Sequence, residues 1–179
     1  MLYKVRGIII KKTNLGDTDR LITVYSKDFG KILVKAKSIR KNQAKLKGHL
    51  ELFLYSHLMI APGRGFDIIT GAEIIKSFSR LHDRLTSLAA GYYLAELIDK
   101  LIVGPEKDEN IWVLFLSSLE QLNRMSCDTK AIISNFENRL VEFLGYGTER
   151  NNINNIFQSL LGEKIKSKYF LQKTLYLLR

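Results

Sequence analysis

The sequence predicts an α+β chain in two parts, a small closed five-stranded β-barrel over residues 1–77 and an all-α domain over residues 78–179. Three observations carry that expectation. Apolar and polar residues alternate with a period of two in the first 75 residues. From Leu81 onward apolar residues recur at steps of three and four. The charge balance also changes near residue 50: residues 1–50 hold 13 Lys and Arg against 3 Asp and Glu, and residues 51–179 hold 15 against 15. The formal net charge of +10 therefore belongs to the N-terminal segment.

Taken in order, Val5 to Lys12 reads as a first strand, ended by the turn Asn14-Leu15-Gly16-Asp17. Leu21, Thr23 and Tyr25 alternate with Ile22 and Val24 in a second strand. Lys27-Asp28-Phe29-Gly30 turns into a third, where Ile32, Val34 and Ala36 alternate with Leu33, Lys35 and Lys37. After a longer connection, Leu50 to Ile60 reads as a fourth strand, Pro62-Gly63-Arg64-Gly65 as a turn and Phe66 to Ile74 as a fifth. Five short antiparallel strands with the long connection between the third and fourth suggest an OB-type barrel.

The helical part begins with a stripe of Leu81, Leu85, Leu88, Tyr92, Ala95, Ile98 and Ile102, stopped by Gly104-Pro105. A second helix runs from an Asp108 cap through Trp112, Phe115 and Leu119. A third starts at Asp128 or Thr129, passes Ile133, Phe136 and Leu140, and stops at Gly145. Two shorter stripes follow, Ile153 to Leu161 before Gly162, and Leu171, Leu175 and Leu178.

No uninterrupted apolar stretch approaches the ~20 residues of a membrane-spanning helix, and Lys4, Arg6, Lys11 and Lys12 interrupt any secretory core at the N-terminus, so a cytoplasmic protein is expected. The single cysteine, Cys127, excludes an internal disulfide and a multi-cysteine zinc site. His49, His57 and His82 lack ligand spacing, and neither a phosphate-binding Gly-rich loop nor a nucleophile–base constellation is present. The expectation is a non-enzyme with no metal and no cofactor.

The basic segment is the informative one. No acidic residue occurs from Phe29 to Leu50, a stretch carrying Lys31, Lys35, Lys37, Arg40, Lys41, Lys45 and Lys47. If Ile32, Val34 and Ala36 point into the barrel, Lys31, Lys35 and Lys37 point out together, and the connection continues their ridge. Lys11, Lys12, Arg20 and Arg64 extend the set. Such a field attracts polyanions, above all nucleic acid, and the excess of lysine over arginine favours binding without sequence readout. Stacking on bases would fall to Tyr25, Phe29 and Phe53, with Tyr55 a further aromatic of the segment. Two other readings share these features: an RNA-binding OB protein, and an interaction module whose basic face is incidental.

Several motifs together resemble the RecO family of bacterial recombination mediators. They are Gly7-Ile8-Ile9-Ile10, Leu15-Gly16-Asp17-Thr18-Asp19-Arg20-Leu21, Phe29-Gly30-Lys31, Leu46-Lys47-Gly48-His49-Leu50-Glu51, Gly63-Arg64-Gly65 and Gly71-Ala72-Glu73. Phe136-Glu137, Arg139-Leu140, Leu144-Gly145-Tyr146, Leu161-Gly162 and Ile165-Lys166-Ser167 continue the likeness. The resemblance implies an OB barrel that binds single- and double-stranded DNA, strand annealing, and a nucleoid role with RecR in loading RecA onto DNA coated by single-strand-binding protein, with RecF as a further partner. It places DNA contact on Lys31 to Lys47. Many relatives carry a four-cysteine zinc module after Leu-Gly-Tyr, whereas here Gly147 to Asn155 leads straight to the next helix, as in a short, zinc-free member. Where some relatives use an arginine to hold the acidic tail of single-strand-binding protein, this chain has Ser134-Asn135, which leaves Arg124 and Arg139 as candidates for that tail.

Overall fold

The computed structural model describes residues 2–147, 153–162 and 165–177. Its five strands are β1 (Tyr3–Leu15), β2 (Asp19–Ser26), β3 (Gly30–Ala36), β4 (Tyr55–Ala61) and β5 (Ile68–Lys76). They close in the order β1-β2-β3-β5-β4, with β4 returning to β1. All neighbours are antiparallel except β3 and β5, which run parallel and meet at Lys35 and Ile68. This is the five-stranded barrel the alternation predicts.

The 13 residues of β1 serve two partners, pairing with β4 over Tyr3 to Ile8 and with β2 over Gly7 to Leu15, with a bulge between Ile9 and Lys11. At the bulge, the Ile9 amide donates to Leu54 O and the Ile9 carbonyl accepts from Phe53 N. The interior is filled by Val5, Ile9, Ile22, Val24, Val34, Ala36, Leu58, Ile60 and Ile69. Ile39 and Leu50 join that core, with Ala44, Leu46 and Leu52 packed against it.

The long connection after β3 is thus held down by its own apolar residues. It also shortens the fourth strand, which begins at Tyr55 and not at Leu50. The cause is local: Lys47–His49 form a 3-10 turn, and Phe53 has a φ of 65°, a left-handed conformation that no strand accommodates.

The helices are α1 (Leu85–Leu101), α2 (Glu109–Leu122), α3 (Thr129–Phe143), α4 (Ile153–Leu161) and α5 (Lys166–Leu177). The predicted stripe holds at Leu81, Ala95, Ile98 and Ile102, which are buried, and fails in the first half of α1. Leu85 and Tyr92 are exposed, while Ala90, Tyr93, Leu94, Leu97 and Ile98 are buried. Asp128 caps α3 by accepting from Lys130 N and Ala131 N, and Gly145, at φ 83°, ends it with Tyr146 N donating to Val141 O. Phe115 and Phe136 meet edge to face at 6.3 Å. The Glu96 carboxylate of α1 accepts from Lys166 N, Ser167 N and Ser167 Oγ and so caps α5.

The chain divides into two compact units, residues 1–77 with 103–108, and residues 78–102 with 109–179. Val103–Asp108 thus belongs with the barrel although it connects two helices. The reading of Gly147 to Asn155 as a direct bridge falls partly on residues 148–152, outside the described residues. Among the described residues no helix is long and apolar enough to cross a membrane, and no three His, Cys, Asp or Glu side chains gather as a metal site.

Candidate nucleic-acid interface

Alternation along β3 does place Lys31, Leu33 and Lys35 on the outer face, with Ile32, Val34 and Ala36 against the core. The cations differ sharply in how free they are. Lys35 Nζ lies 2.8 Å from Asp19 Oδ2, and Lys12 is paired with Glu51. Lys11 and Lys31 also have partners. Arg20 Nε donates to Asn14 Oδ1 at 3.2 Å. By contrast Lys37, Lys41, Lys45, Lys47 and Arg64 are exposed and carry no ion pair among the described residues. Arg40 is exposed too, and its Nη1 donates to the Gly16 carbonyl at 3.0 Å, a bond that leaves the charge uncompensated. The open charge therefore sits mainly on the connection after β3, and less on the strand itself.

That connection is a sequence of tight turns. Lys41 N donates to Ser38 O, Ala44 N to Lys41 O, Lys47 N to Ala44 O and His49 N to Leu46 O, while Arg40 N bonds Thr18 O. With Ile39, Ala44, Leu46 and Leu50 turned inward, Lys41, Lys45 and Lys47 are forced outward. The arrangement holds these cations in a fixed frame, which would reduce the ordering cost of binding a polyanion.

Asp19 fixes the start of the frame. Its Oδ1 accepts from Ser38 N at 2.7 Å, at a residue held in the left-handed region with φ 52°. Hydrogen bonds from Lys35 and then Ser38 bring the Asp19 carboxyl down to about 2, from an ordinary 3.8. A carboxyl lowered on folding stabilises the fold above its unfolded pKa and loses that contribution as pH falls through the folded one. Denaturant titrations are expected to show a stability loss between about pH 4 and 2 that an Asp19→Asn protein shows less steeply, because asparagine keeps an acceptor for Ser38 but has no proton to take up.

Two aromatic candidates are corrected by burial. Tyr25 is 0% and Phe53 1% exposed, so neither ring is open to a base. Burial, with the Asp108 carboxylate nearby, pushes the Tyr25 hydroxyl well above its usual pKa. Phe29 remains accessible at 42% and meets Tyr3 edge to face at 5.8 Å. Tyr3 in turn donates to Asp67 Oδ2 at 2.5 Å, tying the β4–β5 loop to β1. The half-buried Tyr55 is already engaged.

In the helical unit, Arg124 lines a cavity of about 410 Å³ with Gln121, Cys127, Asp128, Ala131 and Asn135. Arg139 is not part of that lining; its Nη1 pairs with Glu142 Oε2 at 3.1 Å. A second cavity, of about 250 Å³, is edged by Lys130 and Lys168 above Tyr93, Ile133, Glu137 and Leu171. At its floor the Tyr93 hydroxyl donates to Glu137 Oε1 at 2.5 Å, and burial raises the Glu137 carboxyl despite that bond and the nearby Lys168.

Comparison with known proteins matches residues 1–78 to the family described as recombination protein O N terminal, and residues 82–162 to recombination protein O C terminal. The chain is 38% identical over 161 residues to a DNA repair protein RecO of Dehalococcoides mccartyi, a match covering 89% of this chain and 62% of that protein. It is 37% identical over 146 residues to one of Trichodesmium erythraeum, covering 82% and 50%, and 33% identical over 145 residues to one of a Roseiflexus species, covering 81% and 50%. The chain thus spans about half to three-fifths of the length of the curated relatives it matches.

Proposed function

Since the chain belongs to the RecO family, matched in order by that family's N-terminal and C-terminal models, we propose that it is a DNA-binding mediator of recombinational repair. On this reading it catalyses no bond-making step. Its barrel holds single- and double-stranded DNA, brings complementary strands together and, with RecR, helps load RecA onto DNA coated by single-strand-binding protein, with RecF as a further candidate partner. The same reading places it in the cytoplasm, at the nucleoid, keeps the division after residue 77 between DNA-binding and helical parts, and assigns the acidic tail of single-strand-binding protein to the helical unit near Arg124.

One observation supports it above the rest: Lys37, Arg40, Lys41, Lys45, Lys47 and Arg64 stand exposed and uncompensated, five of them on one ordered connection. Annealing is the activity such a surface favours, because cations that neutralise phosphate lower the repulsion between two strands without choosing a sequence. The test is the annealing rate of two complementary DNA oligonucleotides labelled as donor and acceptor. The protein is expected to accelerate it, and to bind RNA of the same sequence no more tightly than DNA. Preference for RNA, or no acceleration, overturns the assignment.

A further inference from the structure

The outer face of β3 carries an apolar residue where a purely electrostatic surface has no use for one. Leu33 lies between Lys31 and Lys35 and is 44% exposed. The strand beside it is β5, in parallel register with Lys35 level with Ile68, and Lys35 N donates to Asp67 O at 2.7 Å. Phe66, 38% exposed, lies in the loop two residues before the paired Ile68, as Leu33 lies two residues before the paired Lys35. Ile69 points into the core, so Ile68 lies on the outward side with Lys35 and Leu33.

The loop that carries Phe66 is held in place. Asp67 accepts from Tyr3 through Oδ2 and from Gly63 N, at 3.4 Å, through Oδ1. Gly63 is packed so closely that a Cβ there would stand 2.2 Å from Phe66 O. Arg64, exposed and unpaired among the described residues, lies two positions before Phe66 on the same loop.

We propose that Phe66, backed by Leu33, is a base-stacking subsite for single-stranded nucleic acid, with Arg64 and Lys37 holding the phosphates on either side. The proposal rests on the DNA-binding reading above and adds to it a contact with bases. A large apolar ring rimmed by free cations fits an unpaired base attached to its phosphate better than it fits a protein surface, which would have to bury those charges. Duplex DNA keeps its bases stacked and offers this ring nothing, so the subsite favours single strands.

The experiment compares anisotropy titrations of two labelled probes, a thymidine oligonucleotide and an abasic backbone of equal length and charge. Phe66→Ala is expected to weaken binding to the thymidine probe by about fivefold or more and to leave the abasic probe unchanged. Phe66→Trp is expected to keep thymidine affinity, with indole emission quenched by that probe and not by the abasic one. Circular dichroism of both variants checks that the barrel persists. If Phe66→Ala weakens both probes equally, or neither, while removal of the loop cations weakens both, the stacking subsite is wrong and the DNA-binding reading stands. If the unaltered protein binds neither probe, both fall.

Discussion

A protein carrying Arg40→Ala, Lys41→Ala, Lys45→Ala and Lys47→Ala together is expected to lose about two to three powers of ten in affinity for single-stranded DNA near 0.1 M salt. The estimate follows from counterion release, in which each phosphate contact on a single strand contributes about 0.7 to the slope of log affinity against log salt, so four lost contacts flatten it by about 3. The fold should survive. Ile39, Ala44, Leu46 and Leu50 anchor the connection and stay, and the Arg40 N to Thr18 O bond is a backbone bond. Thermal melting by circular dichroism checks this, and titrations at several salt concentrations read the slope. An unchanged slope in the variant would move the site toward Lys11, Lys12 and Arg20. A slope near zero in the unaltered protein would sink the electrostatic account altogether. Replacing Lys35 and Lys37 together by alanine is expected to flatten the slope by less than two free lysines would, because Asp19 already offsets the Lys35 charge.

The largest loss of stability is expected from Gly30→Ala. Gly30 has a φ of 68°, and a Cβ there would stand 2.1 Å from Glu106 O and 2.5 Å from Glu106 C. The left-handed backbone alone costs alanine about 1 kcal/mol, and overpacking against an unyielding main chain adds about 1–3 kcal/mol. Gly16→Ala is the natural comparison, since Gly16 has a similar φ of 60° and open space around it. It is expected to cost only the backbone share. Denaturant midpoints of the two variants separate the contributions, and equal midpoints would show that Val103–Asp108 yields to the added methyl.

Much of the barrel was legible because β3 buries one face and so imposes alternation on Val34 and Ala36, and Ile22 and Val24 of β2 alternate against the same core. The reading failed where burial comes from chain far away in sequence. Tyr25 alternates outward with Thr23, and nothing nearby in the sequence tells that its ring is enclosed. Phe53 sits in an apolar run that reads as strand, and only its left-handed backbone takes it out of one. In α1, Leu85, Leu88 and Tyr92 form as regular a stripe as the truly buried residues, because Ala89, Ala90 and Gly91 carry too little hydrophobicity to mark the phase. The lysine ridge was visible, but the partners of Lys35 and Lys12 are 16 and 39 residues away along the chain, at Asp19 and Glu51. Phe66 was read as the start of a strand. Its place directly after Arg64-Gly65, an aromatic beside a cation in a turn, is the sequence feature on which the proposed subsite draws.

The parallel junction of β3 with β5 has one further consequence. The other four ladders run through six to eight registered pairs each, whereas this one has a single pair, Lys35 with Ile68. Local opening begins where fewest bonds must break, so hydrogen exchange is expected to show the barrel opening along this seam, with the Lys35 amide exchanging ahead of those in the other ladders. Leu33 and Phe66 lie on opposite sides of the same seam. A nucleotide seated across them would act as a latch, and its binding energy would be felt as slower exchange and a tighter barrel by simple mass action. The surface that holds the strand would then also be the place where the strand closes the fold.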